Sequence, residues 1–298
     1  IDPRGHDSQF VVNALNQIVR SISREVSDNS GIRYQRDTFY DANNNVIRTD
    51  IQNIGAGGGL QINTHFSHSY EYEILDFVTR KTHEVDENKI IVSEYDYDNN
   101  RNLIMQRSGE AVNGNQPANT VSYLYDERDL LFKTIRAAGN PDQSSSQFDY
   151  DFNQNLIRSH IGLEDALRVH QTIYDGYNRP VKKIDPMGNE SSYIYDANHN
   201  IVSSLIGGEL IDVPGHANNL RLYESSYAYD AMDRKVRTDK VFFDTETQNV
   251  IADGLATTLT FFSDNSQVIR QLDDNSHQTL ISYDTANRST IVTDHKGN

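Results

Sequence analysis

The sequence predicts an all-β fold of tandem antiparallel β-hairpin repeats, and three observations predict it. A short word, aromatic-x-aromatic-Asp, recurs from one end of the chain to the other. Each copy is followed by a turn-rich stretch and then a β-branched or leucine-rich run, which is the pattern of strand, short loop, strand. No segment with helical periodicity runs beyond about two turns; Leu163 to Val169 is the one place where a single helical turn is expected.

The clean copies of the word are Tyr95-Asp96-Tyr97-Asp98, Tyr123-Leu124-Tyr125-Asp126, Phe148-Asp149-Tyr150-Asp151, Tyr193-Ile194-Tyr195-Asp196 and Tyr227-Ala228-Tyr229-Asp230. Weaker copies centre on Val12, Tyr40 with Asp41, Tyr72 with Glu73, Tyr174 with Asp175, Phe262, and Tyr283 with Asp284. The second aromatic position therefore falls at 12, 40, 72, 97, 125, 150, 174, 195, 229, 262 and 283, giving eleven units spaced by 21 to 34 residues. A repeat of this length reads as a stacked array whose stability is a sum over neighbouring units.

Each part of the word has a physical reading. Two aromatics separated by one residue lie on the same face of an extended strand. The following Asp accepts backbone N–H groups two residues on and opens a tight turn. The turn stretches include Ala42-Asn43-Asn44-Asn45, Ala197-Asn198-His199-Asn200 and Gly176-Tyr177-Asn178-Arg179; the return runs include Val46-Ile47-Arg48, Leu156-Ile157-Arg158 and Val268-Ile269-Arg270. Eight positions after the second aromatic a basic residue stands in eight units: Arg20, Arg48, Arg80, Lys133, Arg158, Lys182, Arg237 and Arg270. Acid beside the aromatic and base eight positions on predict a polar ladder along the array, with an unpaired solvated face as the alternative. A lone hairpin is marginal in water, so the rings are expected to form an apolar layer shared between neighbours. Variable spacing is absorbed in the Gly55-Ala56-Gly57-Gly58-Gly59 run, read as a flexible connector, in residues 207–219, and in an arm from Val241 to Leu259.

Composition fits a thin sheet. Hydrophobic residues make up 36% of the 298, and mean hydropathy is −0.67, below what a thick core requires. The 17 Tyr and 11 Phe set the chain apart from disordered sequences. With 27 Lys plus Arg against 43 Asp plus Glu, the formal charge is −16, and no cationic run is present, so nucleic acid and anionic membrane surfaces are poor partners. No apolar stretch approaches the length of a membrane span. The absence of cysteine removes disulfides, thiolate metal sites and Cys nucleophiles. The opening Ile1-Asp2-Pro3-Arg4-Gly5 echoes Ile184-Asp185-Pro186-Met187-Gly188, and the closing Asp294 to Asn298 echoes Asp185 to Asn189. Residues 1–298 are thus read as one array cut from a longer chain at the same point of its repeat.

The Tyr-x-Tyr-Asp word with its turn, in copies such as Tyr229-Asp230-Ala231-Met232-Asp233-Arg234, and the Asp-Pro-x-Gly-Asn link resemble the YD-repeat (Rhs) family. The family includes bacterial polymorphic-toxin shells, cocoon subunits of insecticidal toxin complexes, and teneurin ectodomains. The resemblance spans essentially the whole chain and implies a long curved or spiralling antiparallel sheet, here an open fragment of a shell wall, secreted or at a bacterial cell surface. It implies flanking repeats of the same polypeptide and an enclosed toxin domain as partners. The chain departs from the family in carrying Asn, Asp or Ser at many turn positions where Gly is common. It also lacks the Pro-rich, self-cleaving core segment.

Chemistry-bearing motifs are few. His65 and His68 form an H-x-x-H, but on a strand they face opposite sides, so two polar strand residues is the favoured reading over a metal site. Asp96 to Asn100 starts like a calcium loop, then places Arg101 where Gly is needed and Arg107 where the closing Glu belongs. The glycine run lacks the Lys-Ser/Thr of a phosphate loop, and no G-x-S-x-G is present. Tyrosines can stack on sugars, yet their strict alternation favours packing, and the chain has no Trp. Catalytic, cofactor and metal residues are therefore expected to be none. The expected role is a non-catalytic structural segment, with a carbohydrate- or receptor-binding module as the alternative.

Overall fold

The computed structural model describes residues 7–25, 32–55, 57–210 and 219–297. The opening Ile1 to Gly5, Ala56 of the glycine run, most of the 207–219 connection and the closing Asn298 lie outside the described residues. The chain divides into two compact units, Ile1–Gln147 with Gly162–Asp165, and Phe148–Ile161 with Ala166–Asn298.

The fold is all-β, with twenty-two strands among the described residues. The first unit holds β1 (Gln9–Val12), β2 (Ile18–Ile22), β3 (Gln35–Tyr40), β4 (Val46–Ile54), β5 (Leu60–Tyr72), β6 (Val78–Asp86), β7 (Lys89–Tyr97), β8 (Leu103–Arg107), β9 (Thr120–Tyr125) and β10 (Leu131–Arg136), followed by the start of β11 (Ser144–Tyr150). The second holds the rest of β11 and β12 (Leu156–Ile161), β13 (Arg168–Tyr174), β14 (Pro180–Ile184), β15 (Glu190–Tyr195), β16 (Ile201–Gly208), β17 (Leu220–Tyr229), β18 (Lys235–Phe243), β19 (Val250–Phe262), β20 (Val268–Leu272), β21 (Gln278–Tyr283) and β22 (Ser289–Thr293). Every described pairing is antiparallel and joins strands consecutive in sequence, so each unit is an open meander. Among the described residues the one helix is a single turn, α1 (Gly109–Val112). Residues 163–167 form a turn instead of the helical turn expected there, and Arg168 and Val169 already belong to β13.

Each hairpin has the same local geometry. In β3–β4, Asp41 N–H bonds to Asn45 O at 3.0 Å and Asn44 N–H to Asp41 O at 3.3 Å, a three-residue loop closed by a left-handed residue. That residue lies four positions after the second aromatic in all eleven units: Asn16, Asn44, Asp76, Arg101, Asp129, Gln154, Asn178, His199, Asp233, Ser266 and Asn287, with φ between 57° and 73°. None is glycine, although L-residues adopt this conformation at a cost. A bulge follows. Tyr40 faces Val46 while Phe39 faces Arg48, leaving Ile47 as the extra residue, and the same shift recurs wherever the hairpin register is described. Bulges bend a strand and increase its local twist.

Among the described residues no apolar side chain is fully buried; the buried residues are Ser145, Ser204, Ser225 and two glycines, Gly208 and Gly254. Each unit is a single layer. The glycine run, read as flexible, instead closes a hairpin between β4 and β5: Gly55 N–H bonds Gly59 O and Gly58 N–H bonds Gly55 O, both at 2.9 Å. Gly58, at φ 81°, takes the left-handed position.

Candidate functional site

The repeating feature with the most chemistry is the seam between one hairpin and the next. Counting the second aromatic as position zero, residue +8 of each hairpin pairs with residue −3 of the next: Arg20 with Asp37, Arg48 with Ser69, Arg80 with Glu94, Met105 with Ser122, Lys182 with Ser192, Ser203 with Ser226, and Arg270 with Leu280. The backbone ladder between hairpins stops there. Residue +6 lies beyond its end, with a carbonyl that the neighbouring strand does not reach.

A tyrosine hydroxyl reaches it. Tyr40 donates to Ile18 O at 3.0 Å, Tyr72 to Val46 O at 2.8 Å, Tyr97 to Val78 O at 3.1 Å and Tyr125 to Leu103 O at 3.1 Å in the first unit. In the second, Tyr174 donates to Leu156 O at 3.2 Å, Tyr195 to Pro180 O at 2.9 Å, Tyr229 to Ile201 O at 3.0 Å and Tyr283 to Val268 O at 3.0 Å. Tyr150, the remaining tyrosine at position zero, is also partnered. A backbone carbonyl left without a donor is costly, and the phenol spans the gap that the turn opens. Partial burial pushes the phenols of Tyr72, Tyr97, Tyr125, Tyr195 and Tyr229 above the ordinary tyrosine range.

This corrects the expected layer of stacked rings. Among the described residues the ring pair involving two aromatics of Phe or Tyr type is Phe77 with Tyr97, at 5.1 Å. The other rings of the repeat meet cations and polar groups. Lys81 lies 5.0 Å over Tyr95 and Lys235 5.1 Å over Tyr227, while Tyr123 donates to Gln106 at 3.5 Å. Tyr193 stands opposite Ser204 in the β15–β16 pairing. The Tyr227 hydroxyl meets Ser204 at 3.1 Å and Ser225 at 2.6 Å.

The turn aspartates cap their own loops. Asp41 accepts the N–H of Asn43 and Asn45; Asp98, Asp126, Asp151, Asp175, Asp196, Asp230 and Asp284 accept from the same two positions of their turns. For Asp98 and Asp284 these backbone bonds are the largest influence, and for Asp175 and Asp230 it is the side-chain bond from Arg179 and Arg234; each carboxyl is held below the ordinary range. Partial burial pushes Asp41, Asp126 and Asp196 the other way, and their hydrogen bonds outweigh it.

The residue four positions after the aspartate then ties one turn to the next. Asn45 donates both to Asp41 and, at 2.5 Å, to Asp76 of the following turn; Asn102 does the same with Asp98 and Asp129, Asn155 with Asp151 and Asn178, and Asn200 with Asp196 and Asp233. In Arg179 and Arg234, one side of the guanidinium binds its own Asp and the other binds the next turn's backbone. Arg179 reaches Asp196 O at 3.0 Å and lies 4.6 Å over Tyr195, while Arg234 reaches Ser263 O at 3.0 Å and lies 4.8 Å over Phe262. Phe262, which has no hydroxyl to donate, is held by this guanidinium.

The predicted ladder between the turn Asp and the +8 base does not form. The bulge places the +8 residue across from the residue between the two aromatics, on the face away from the tyrosines. Its partners lie there: Asp37 for Arg20 (2.6 Å), Asp50 for Arg48 (2.7 Å), Glu71 for Arg80 (4.0 Å), Glu190 for Lys182 (2.7 Å), Asp239 for Arg237 (2.8 Å) and the Phe261 ring for Arg270 (3.9 Å). Six of the eight +8 bases are partnered in this way.

One further site was not foreseen. The Glu164 carboxylate accepts bonds from the Gln143 amide (3.0 Å) and the Ser145 N–H (2.7 Å), and these, with Gln143 foremost, hold it at about 2. Of the H-x-x-H pair, His65 lies 3.9 Å from Asp50, whereas His68 meets His83 across the β5–β6 pairing. The two residues of the motif are not brought together.

No family model matches the chain, and no curated protein matches it. Among solved structures, the complex of TcdB2-TccC3 with Cdc42 aligns over 92% of this chain at 14% identity and a TM-score of 0.29. TcdB2-TccC3-TEV aligns over 95% at 14% identity and 0.28, and the Tc holotoxin pore of Photorhabdus luminescens over 93% at 13% identity and 0.29. The chain spans about a fifth of the length of those chains, 19%, 20% and 19% respectively.

Proposed function

We propose that this chain is a structural segment, YD-repeat-like in sequence, forming part of a β-sheet shell that encloses or presents a toxin or other cargo domain in a large exported bacterial protein. Its residues perform no covalent chemistry in this reading. The observation that carries it is the seam. The repeat's most characteristic groups, the second tyrosine and the aspartate after it, direct their polar atoms at backbone of their own or the preceding hairpin. A phenol that donates to a carbonyl and a carboxylate that accepts two amides are occupied in holding the wall together.

A carbohydrate- or receptor-binding role is favoured by a different observation. Phe152 and Tyr177, at two turn tips of the second unit, are exposed, and exposed rings are the groups that stack on sugars. One experiment separates the two. Tyr97→Phe and Tyr177→Ala variants are compared with the parent chain for thermal stability and on a glycan array. The structural role expects Tyr97→Phe to lower Tm, Tyr177→Ala to leave it unchanged, and no glycan to be retained. Retention of a glycan class that disappears in Tyr177→Ala at unchanged Tm overturns it.

A further inference from the structure

His68 and His83 face one another directly in the β5–β6 register. Their Nδ1 atoms are 3.2 Å apart, and the rings meet edge to face with centroids 4.0 Å apart at 84°. Two nitrogen ligands on one tetrahedral ion, each at about 2.0–2.1 Å, stand about 3.3 Å from one another. The observed separation is already that of a chelating pair. The strands fix it: opposed residues of an antiparallel pair hold their Cβ atoms about 4.5–5.5 Å apart.

We propose that His68 and His83 form a cross-strand chelate for a divalent first-row transition ion with imidazole preference, such as Cu²⁺ or Zn²⁺. In the free protein the contact is an Nδ1–H···Nδ1 hydrogen bond. Binding moves the donor ring's proton to Nε2, so that both Nδ1 lone pairs turn toward the ion by side-chain rotation. The Arg36 charge near His68 opposes a cation, so the fixed approach of the two Nδ1 atoms is what carries the site. No group of three or more His, Asp or Glu side chains converges for a metal among the described residues, so water fills the remaining positions. The ion is exchangeable and acts as a clip between two strands, a role imidazole ligands suit for Zn²⁺ and Cu²⁺. His65, the other half of the sequence motif, lies on the opposite face beside Asp50.

The test uses the full chain and Cu²⁺, read by electron paramagnetic resonance and by titration. A bound ion with hyperfine coupling to two imidazole nitrogens is expected. His68→Asn and His83→Asn, each checked for an unchanged β circular-dichroism spectrum, are each expected to lower affinity at least tenfold and to remove the two-nitrogen signature. His65→Asn and His277→Asn, the latter from the stacked His277–His295 pair, are expected to leave both unchanged. Zn²⁺ is expected to raise Tm in the parent chain and in His65→Asn but not in His83→Asn. A copper signal that survives both His68→Asn and His83→Asn, or that disappears with His65→Asn or His277→Asn, overturns the proposal, as does the absence of any two-nitrogen species.

Discussion

In each unit the two rims of the sheet obey different rules. At the rim where hairpins turn, the same three-residue loop recurs with its left-handed fourth position and bulge, eight of the eleven turns carry the aspartate cap, and a donor usually passes to the next turn. At the rim where one hairpin links to the next, the connections share no single form. Residues 87–88 suffice between β6 and β7, residues 108–119 carry α1 between β8 and β9, and residues 137–143 join β10 to β11. Some links borrow the other rim's device, as Asp185 does in capping Met187 and Asn189, or Asp273 in capping Asn275 and His277. The difference teaches where specificity resides. A turn here must serve its own hairpin and its neighbour together, whereas a link need only span a distance.

That contrast breaks most visibly under insertion. Two glycines added between Asn99 and Asn100 separate the Asp98 cap from its amides, and the Tm fall is expected to exceed that of any substitution below. The same insertion after Gly114, in a link, is expected to cost about 0.5 kcal/mol, since loop entropy grows slowly with length; equal losses by chemical denaturation would erase the distinction between the rims. Next in size is the seam itself. Tyr97→Ala is expected to cost about 3 kcal/mol, at the low end for an aromatic because the ring is half-buried, and Tyr97→Phe about 1 kcal/mol for the lost bond to Val78 O. Denaturant curves for the pair apportion ring and hydroxyl.

A gain of similar size sharpens the comparison. Arg101 adopts φ 73° at the left-handed position, and Arg101→Gly is expected to stabilise by about 1 kcal/mol, visible as a raised Tm. Smallest per residue is the pH effect. Asp41, Asp98, Asp126, Asp175, Asp196, Asp230, Asp284 and Glu164 have folded pKa values below their unfolded ones, so their stabilisation is complete above the ordinary carboxylate range near 4 and is lost as pH falls through the folded values. Stability is therefore expected to decline from about pH 4.5 downward, with the Glu164 contribution going near pH 2. Gln143→Ala is expected to raise that last transition in an NMR titration of Glu164.

The turn rim was legible in the sequence because its geometry restricts residue type. Asp caps, small polar residues tolerate the left-handed site, and an aromatic word announces the strand before each. Among the described residues, hairpin pairing is seen at ten of the eleven expected positions. The partner of the +8 base was not legible, because a bulge is a backbone event with no residue signature here, and it moved Arg48 from the turn aspartate to Phe39 and Asp50. The tyrosine bond had a signal that ring counting passed over. Position zero is Tyr in nine units and Phe in one, a bias that packing alone does not require and a hydroxyl donor does. Glu164 was illegible for a simpler reason: its partners Gln143 and Ser145 belong to a link and a strand outside the repeated word.

The consecutive order of pairing has a consequence for assembly. Each new β-strand docks on the one made just before it, so contacts close short stretches of chain and the entropy lost at each step is small. Growth proceeds by addition at one end, as in a zipper, and a nascent chain gains a stable neighbour with every twenty to thirty residues that leave the ribosome. Loss or duplication of a whole hairpin in the gene leaves the same docking surface at the break.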